Sequence, residues 1–314
     1  MDRIFISAIV PTIGRKESIT RLLMSLSQQT RMPDEVIIAD GSGSSELKSL
    51  LSGEFQFLTK ISIKKIDVFP PNAVKQRQAA VDLSCGEYLL FLDDDVELEP
   101  DCIQKMIESI ESERDIVGVT ADFNNQAWPQ PTRIWRFLLR YIYRLREGEW
   151  QGRVIGPLLR FGYSPIPSTL VQIEWLGSGN SLVRRSAYQA VGGFSDFFLH
   201  RCTMNEDIDL SIKLRQTGKL MFCPFARMAH WHAPEGRVSI DIAAEDDVYN
   251  RYQVIRYTQK KTYLAATRAV FLYFTVESLS GFLRGLLSLD FRAFALRFLG
   301  RVRALKKIVL GFAS

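Results

Sequence analysis

The 314-residue chain has only four cysteines, Cys85, Cys102, Cys202 and Cys223, and no two of them form a C-x-x-C pair. That spacing argues against a disulfide scaffold or a cysteine-built structural zinc site, and it fits a reducing compartment. Histidine is scarcer still: His230 and His232 cluster late and His200 stands apart. No stretch reaches the ~18–20 uncharged residues that a membrane-spanning helix needs. No basic segment followed by an apolar run opens the chain as a secretory signal would, so a cytoplasmic location is expected. Internal repeats and low-complexity segments are also missing. What remains is 46% hydrophobic and 24% charged, the balance of a globular protein long enough to bury a sizeable core.

Excess charge of either sign is likewise missing from most of the chain. The net charge is +5. Residues 281–314 hold seven bases (Arg284, Arg292, Arg297, Arg301, Arg303, Lys306 and Lys307) against Asp290. That segment is +6 and the preceding 280 residues are −1. A general nucleic-acid binder would spread its basic residues over the folded body, so nucleic acid is not an expected partner.

The first 125 residues alternate apolar runs with amphipathic stretches. Ile4–Val10, Glu35–Asp40, Ile61–Val68, Tyr88–Asp93 and Ile116–Ala121 read as strands. Residues 17–28, 73–84 and the stretch after Pro100 read as helices, and the alternation predicts an α/β fold with a doubly wound, mostly parallel sheet. Residues 125–172 break the rhythm as an insertion rich in Trp, Arg, Pro and Gly. Within it Arg133, Arg136, Arg140 and Arg144 recur at helical spacing, either as a solvated face or as a surface for an anionic lipid head group or a pyrophosphate-linked acceptor. Residues 177–184 then read as a strand, 185–191 and 207–217 as helices, and 222–231 as extended chain.

Two strands end in carboxylates, at Asp40-Gly-Ser and at Asp93-Asp-Asp95. In an open α/β sheet the ligand crevice lies at the carboxyl ends of the strands. Side chains alternate along extended chain, so Asp93 and Asp95 share one side and Asp94 takes the other. Such an Asp-x-Asp pair suits Mg²⁺, or Mn²⁺ with its similar ligand preferences, holding substrate phosphates.

Pro11-Thr-Ile-Gly-Arg15, Asp40-Gly-Ser42 and Gly86-Glu-Tyr-Leu-Leu-Phe-Leu-Asp-Asp-Asp95 with Pro100 resemble the inverting family-2 glycosyltransferases of the GT-A fold. So do Gly179-Asn180, Arg184-Arg185, Gly192-Gly-Phe194 and Asn205-Glu-Asp-Ile-Asp-Leu210. The resemblance covers about residues 4–235. It implies a nucleotide-sugar-binding half over 1–125, an insertion and acceptor or catalytic-base half over 126–240, and a basic helical extension over 241–314. By the same resemblance Pro11, Thr12, Arg15, Asp40, Arg77, Asp93 and Asp94 would bind the nucleotide sugar. Gln78 follows Arg77 where the family usually has Asn. Asp95 and Asp93 would hold the divalent metal, Mn²⁺ or Mg²⁺, and His230 would complete its shell. Glu206 and Asp207 match the acidic pair that supplies the catalytic base, with Asp207 in the usual base position. Trp175, Asn180, His232 and Arg237 would lie near the acceptor or the diphosphate.

The resemblance implies transfer of a sugar from a nucleotide-diphosphate sugar to a glycan or lipid-linked hydroxyl in surface-polysaccharide or glycolipid assembly. A sugar-nucleotide pyrophosphorylase would want a Gly-rich basic phosphate loop after the first strand, and Pro11–Arg15 is not one. A non-catalytic module would not need both the Asp triplet and Glu206-Asp207. In residues 281–314 Leu and Phe alternate with Arg and Lys. That composition suits a helix lying on an anionic membrane surface, on the cytoplasmic face, or alternatively helices packed on the body or on a second copy in a homo-oligomer.

Overall fold

A computed structural model describes residues 4–53, 61–199 and 203–311. His200, Cys202 and residues 312–314 of the basic segment lie outside the described residues. The first half runs β1 (Ile6–Thr12), α1 (Lys16–Ser27), β2 (Glu35–Asp40), α2 (Glu46–Gly53), β3 (Ser62–Asp67), α3 (Ala73–Leu83), β4 (Tyr88–Leu92), β5 (Val96–Leu98), α4 (Cys102–Glu111) and β6 (Ile116–Phe123). The second half runs α5 (Arg133–Tyr141), β7 (Val154–Ile155), β8 (Leu159–Arg160), β9 (Val171–Ile173), β10 (Asn180–Arg184), α6 (Arg185–Ala190), α7 (Glu206–Leu214), β11 (Lys219–His230), α8 (Ile240–Gln253), α9 (Tyr263–Ser288) and α10 (Arg292–Leu310).

Nine strands form the main sheet in the order β3-β2-β1-β4-β10-β6-β11-β5, with β9 also on β11. Six run one way, and β10, β5 and β9 run against them. The fold is therefore α/β with a mixed, mostly parallel sheet. β10, read from sequence as a strand over 177–184, is inserted antiparallel between β4 and β6. Its start consequently lies at the same edge where β1, β2, β4 and β11 end.

Alternation along the strands builds two cores. Ile6, Ala8 and Val10 of β1 pack with Ile19, Leu22, Leu23 and Leu26 of α1 and with Ile103 and Met106 of α4. Ile9, Ile37, Leu89 and Phe91 face the other way, onto Val74 of α3, Ile208 of α7 and Val248 of α8. β1, β2 and β4 are buried along their whole length, which is why they read as continuous apolar runs and not as alternating ones. α2 was not anticipated from the sequence. It is short and follows a Gly/Ser-rich turn, and it is held by Leu47 and Leu50 in the first core.

The insertion has a small core of its own, with Trp135, Leu139, Trp150, Ile155 and Leu159 gathered against Val276 of α9. Thr132 caps α5 by accepting a hydrogen bond from the Trp135 amide (3.4 Å). The helix ends at Tyr141, so the expected arginine stripe stops before Arg144, which lies in the following turn with φ 54°.

α10 packs along α8, and the pair is tied by charge. Arg303 reaches Asp241 (2.6 Å) and Glu245 (2.8 Å), Lys307 reaches Glu245 (2.6 Å), and Arg301 lies 3.6 Å from Glu277. Glu277, the one acid inside the apolar run of α9, also accepts from the Trp135 indole (2.8 Å). Asn205 and Tyr273 both donate to the Asp247 carboxylate (2.9 and 2.7 Å), joining α8 to the start of α7 and to α9. α9 is the one described helix long and apolar enough, by length and composition, to cross a membrane. Arg268, Glu277 and Arg284 interrupt its apolar sequence.

Candidate active site

At the carboxyl edge of the sheet lies an open cavity of about 900 Å³, lined from β1, the β2 and β4 ends, α3, the start of α7 and the segment after β11. Pro11, Thr12 and Arg15 line it at the end of β1. Gly41 lines it in place of Asp40. The fully buried Asp40 carboxylate accepts from the Ser42 amide (2.8 Å) and lies 3.3 Å from the Lys65 ammonium. Asp40 thus shapes the β2 turn beneath the cavity.

The Asp triplet divides its work. Asp94 is buried, accepting from the Thr12 hydroxyl (2.6 Å) and from Arg15 (2.8 Å). Burial pushes the Asp94 carboxyl up to about 6 against the opposing pull of Thr12 and Arg15. Arg15 also donates to the Glu235 carbonyl, so one guanidinium ties the first strand to the segment after β11. Asp93 and Asp95 face the other way and meet His230, with one ligand atom from each within 4.8 Å of the others.

Asp95 is the best-held member of that group. Its carboxylate lies 3.0 Å from His230 Nε2 and accepts from the Ala233 amide (2.8 Å), while its carbonyl accepts from the Trp231 amide (2.9 Å). Burial alone would raise the Asp95 carboxyl, but these contacts outweigh it and hold it below its ordinary value. His230 is half-buried, which alone would lower its imidazole; the hydrogen bond and charge of Asp95 outweigh that and raise it. His232 takes φ 51° and stacks with its ring centroid 4.0 Å from that of His230, outside the carboxylate group. Burial and the His230 charge lower it. Arg237 lines the cavity and donates to the Ala233 carbonyl (2.9 Å).

Close approach explains two glycines here. A Cβ on Gly179 would fall 2.2 Å from the Asp93 carboxylate, so only glycine lets the β10 turn pass under that side chain. Gly236 has φ +71° and seats the post-β11 segment on Ile13.

Arg77 is the hinge between the Asp triplet and the acidic pair. It is almost fully buried and reaches Asp93 (2.7 Å) and Glu206 (3.5 Å). Glu206 lines the cavity and also accepts from Ser178 (2.8 Å). Its carboxyl is raised by burial and by the neighbouring Asp207 charge, which exceed the pull of Arg77. Asp207 points elsewhere: it is not among the residues lining this cavity, and its carboxylate meets Arg160 of β8 at 2.6 Å. The Arg160 guanidinium lies 5.4 Å from the centroid of the Trp175 ring. Asp207, Arg160 and Trp175 form a second cluster beside the first.

Asn180 belongs to the sheet. Its amide donates to the Ala121 carbonyl (2.7 Å) and its carbonyl accepts from Thr120 (3.1 Å), which fixes β10 on β6. Gln78 likewise donates to the Phe194 carbonyl (3.2 Å).

Three contributors escaped the sequence reading. Gln76 donates to the carbonyls of Thr12 and Ala39 (2.6 Å each), pinning the ends of β1 and β2 together. Its place one residue before Arg77 on α3 was the available signal. Ser178 was hidden within a glycine turn. Arg160 is 47 residues from Asp207 and carried no local signal.

Among the described residues, the lining holds five carboxylates (Asp93, Asp94, Asp95, Glu206 and Asp246) and three guanidinium groups (Arg15, Arg77 and Arg237). That formal surplus of two negative charges would oppose a diphosphate unless a divalent cation entered first. Two carboxylates and one imidazole are a donor set that fits such a cation.

Residues 7–190 match the family described as glycosyl transferase family 2. An uncharacterized glycosyltransferase of Haemophilus influenzae is 32% identical over 111 residues, 35% of this chain and 36% of that protein. The amylovoran biosynthesis glycosyltransferase AmsB of Erwinia amylovora is 30% identical over 113 residues, 35% of this chain and 37% of that protein. The matches thus span little more than a third of these relatives' length. Among solved structures, GalNAc-T7, crystallised with UDP, GalNAc and Mn²⁺, superposes with TM-score 0.60 at 15% identity, over 85% of this chain and 51% of that one. TarS of S. aureus superposes with TM-score 0.52 at 16% identity, over 81% of this chain and 40% of that one. Both likenesses are of the GT-A fold.

Proposed function

Since the chain belongs to glycosyl transferase family 2, we propose that it is a metal-dependent, inverting glycosyltransferase. It moves a sugar from a nucleotide-diphosphate donor to a hydroxyl of a glycan or lipid-linked acceptor, in cell-surface polysaccharide or glycolipid assembly. The observation that carries this reading is the meeting of Asp93, Asp95 and His230 in a large cavity whose lining is otherwise rich in acid.

Asp93, Asp95 and His230 would hold Mn²⁺ or Mg²⁺, which when bound offsets the charge growing on the departing diphosphate. Pro11, Thr12, Gly41 and Arg15 form the wall on which the nucleotide rests, and Arg237 offers a guanidinium to its phosphates. Arg77 fixes Asp93 and Glu206 against each other, so the donor side and the acceptor side keep one geometry. A single displacement at the anomeric carbon inverts configuration and needs a carboxylate to take the acceptor proton. Asp207 is that base. Arg160 orients it through a 2.6 Å ion pair, and the same guanidinium lies over the Trp175 ring.

The tail reading narrows. Arg301, Arg303 and Lys307 are engaged with acids of α8 and α9. An anionic bilayer on the cytoplasmic side would instead meet the α9–α10 turn, where Leu286, Leu287 and Leu289 are exposed beside Arg284, Arg292 and Arg297.

Asp207→Asn and Glu206→Gln test the assignment against a panel of nucleotide sugars with Mn²⁺. Asp207→Asn should lower turnover about 10²–10⁴-fold while leaving donor binding intact. Loss confined to Glu206→Gln would move the base to Glu206, and full turnover in both variants would overturn the mechanism.

A further inference from the structure

We propose that the insertion carries a second anion site, a pocket that takes a phosphate or diphosphate group outside the catalytic cavity. The pocket has a volume of about 550 Å³ and is lined by Arg136, Arg140, Arg144 and Arg146 together with Tyr141 and Trp150. None of its lining residues is shared with the cavity at the sheet edge.

The chain is folded specifically to make it. Arg136 and Arg140 sit one turn apart on α5. The helix then stops, and Arg144 adopts φ 54°, a left-handed conformation that a side chain with a Cβ rarely takes. The reversed chain is pinned back on α5, with the Tyr143 amide donating to the Leu138 carbonyl (3.1 Å) and the Leu145 amide to the Leu139 carbonyl (2.9 Å). That turn brings Arg144 and Arg146 round to Arg136 and Arg140. A straight helix would have left the same residues as a solvated stripe.

The four guanidinium groups face one lining acid, Glu147, whose carboxylate lies 3.9 Å from Arg136. Like charges gathered around one cavity repel, and a bound anion relieves that repulsion. An independent observation points the same way. Trp150 is 3% exposed, and its indole N–H is buried without an acceptor. A buried donor left unpaired is unfavourable, and such groups in folded proteins are usually satisfied. Trp150 itself lines the pocket, so a phosphate held there stands beside this unpaired donor. Guanidinium forks match phosphate oxygens in pairs, which makes phosphate the anion of choice over a monovalent one. Phe137 and Tyr141 line the pocket and are exposed, so a phosphate carried on an apolar tail fits as well as a free one.

The test uses the full chain without divalent metal. Binding of inorganic pyrophosphate is measured by calorimetry, and binding to phosphatidylcholine vesicles with or without phosphatidic acid by sedimentation. The variants are R140Q with R144Q, and Trp150→Phe, which keeps an aromatic side chain and removes the N–H. The double variant should bind the productive probe about tenfold more weakly, since charge-assisted pairs supply most of the contact. Trp150→Phe should weaken it severalfold. Loss on pyrophosphate marks a site for a free phosphate group, and loss on acidic vesicles alone marks one for a lipid-borne phosphate. Wild-type affinity for both probes in the double variant overturns the site, as does wild-type protein that binds neither. Thermal protection by a nucleoside diphosphate with Mn²⁺ reports the catalytic cavity alone and should be unchanged in these variants. Its loss in wild type would overturn the proposed function without touching this pocket.

Discussion

At the edge of the sheet, five carboxylates and three guanidinium groups of the described residues share one cavity, and among these the acids are in surplus. Between α8, α9 and α10, Asp241, Glu245 and Glu277 meet Arg301, Arg303 and Lys307, charge for charge. Both regions are conspicuous in the sequence as clusters of one sign. In the helical extension Arg301, Arg303 and Lys307 are neutralised on folding, because each finds an acid donated by a helix earlier in the chain. At the sheet edge folding concentrates the surplus, because β1, β4, α3 and α7 all deliver acids or their partners to one place. Charge that folding cancels holds elements together. Charge that folding accumulates waits for a ligand of the opposite sign.

The strongest way to break this contrast is Asp95→Asn. It keeps shape and hydrogen-bonding capacity but removes one charge from the surplus and one donor from the Asp93–Asp95–His230 group. Metal-dependent transfer should fall by about 10³-fold or more, the scale of a lost Lewis-acid contribution. Initial rates across a Mn²⁺ titration measure it. A wild-type Mn²⁺ response in the variant would mean that the accumulated acids serve something other than a cation.

Which parts of this were legible beforehand follows the range of the interactions. β1, β2, β4 and β6 announced themselves because a strand buried on both faces is an unbroken apolar run, and the Asp triplet because three like charges at a strand end have few structural uses. The sharing of Asp93 and Asp95 with His230 needed β5 and β11 paired, with Val96 opposite His230, a register no local pattern encodes. The separation of Glu206 from Asp207 is a rotation of one helical position and depends on Arg77 and Arg160, both far away in sequence. Asn180, attractive as an acceptor contact, proved committed to Ala121 and Thr120 because β10 is antiparallel and starts at the active edge. The basic tail had the composition of a membrane helix, and half of its purpose was hidden in the acids of α8.

Arg77→Met sharpens the contrast from inside the cavity. The substitution keeps an unbranched side chain but strands the Asp93 and Glu206 carboxylates beside each other. Removing one partner of a fully buried pair costs about 3–5 kcal/mol. Here the Asp93 side chain is 33% exposed and can recover some hydration, so about 2–3 kcal/mol is expected. Urea unfolding of the full chain measures it, and Mn²⁺ should restore part of the loss by binding the stranded acids. A variant as stable as wild type without metal would show that the surplus needs no internal counter-charge.

The smallest effect belongs to the balanced region, and its pH dependence has a definite sign. Arg303→Gln removes a guanidinium shared by Asp241 and Glu245, but the side chain is about one-third exposed and the pair is screened by solvent. The melting temperature should drop by no more than about 2 °C at neutral pH, and the difference should shrink in high salt. In the wild type the Ser239 hydroxyl and then the Arg303 guanidinium hold the Asp241 carboxyl at about 2, below its ordinary 3.8. A carboxyl depressed on folding contributes stability above its unfolded value and loses it as pH falls toward the folded one. The advantage of wild type over Arg303→Gln should therefore be constant from pH 7 to about 4 and vanish between about 4 and 2. Equal stability of the two proteins at every pH would mean that α10 is held to α8 by packing of Gly300 and Ala304 alone, with the ion pairs as passengers.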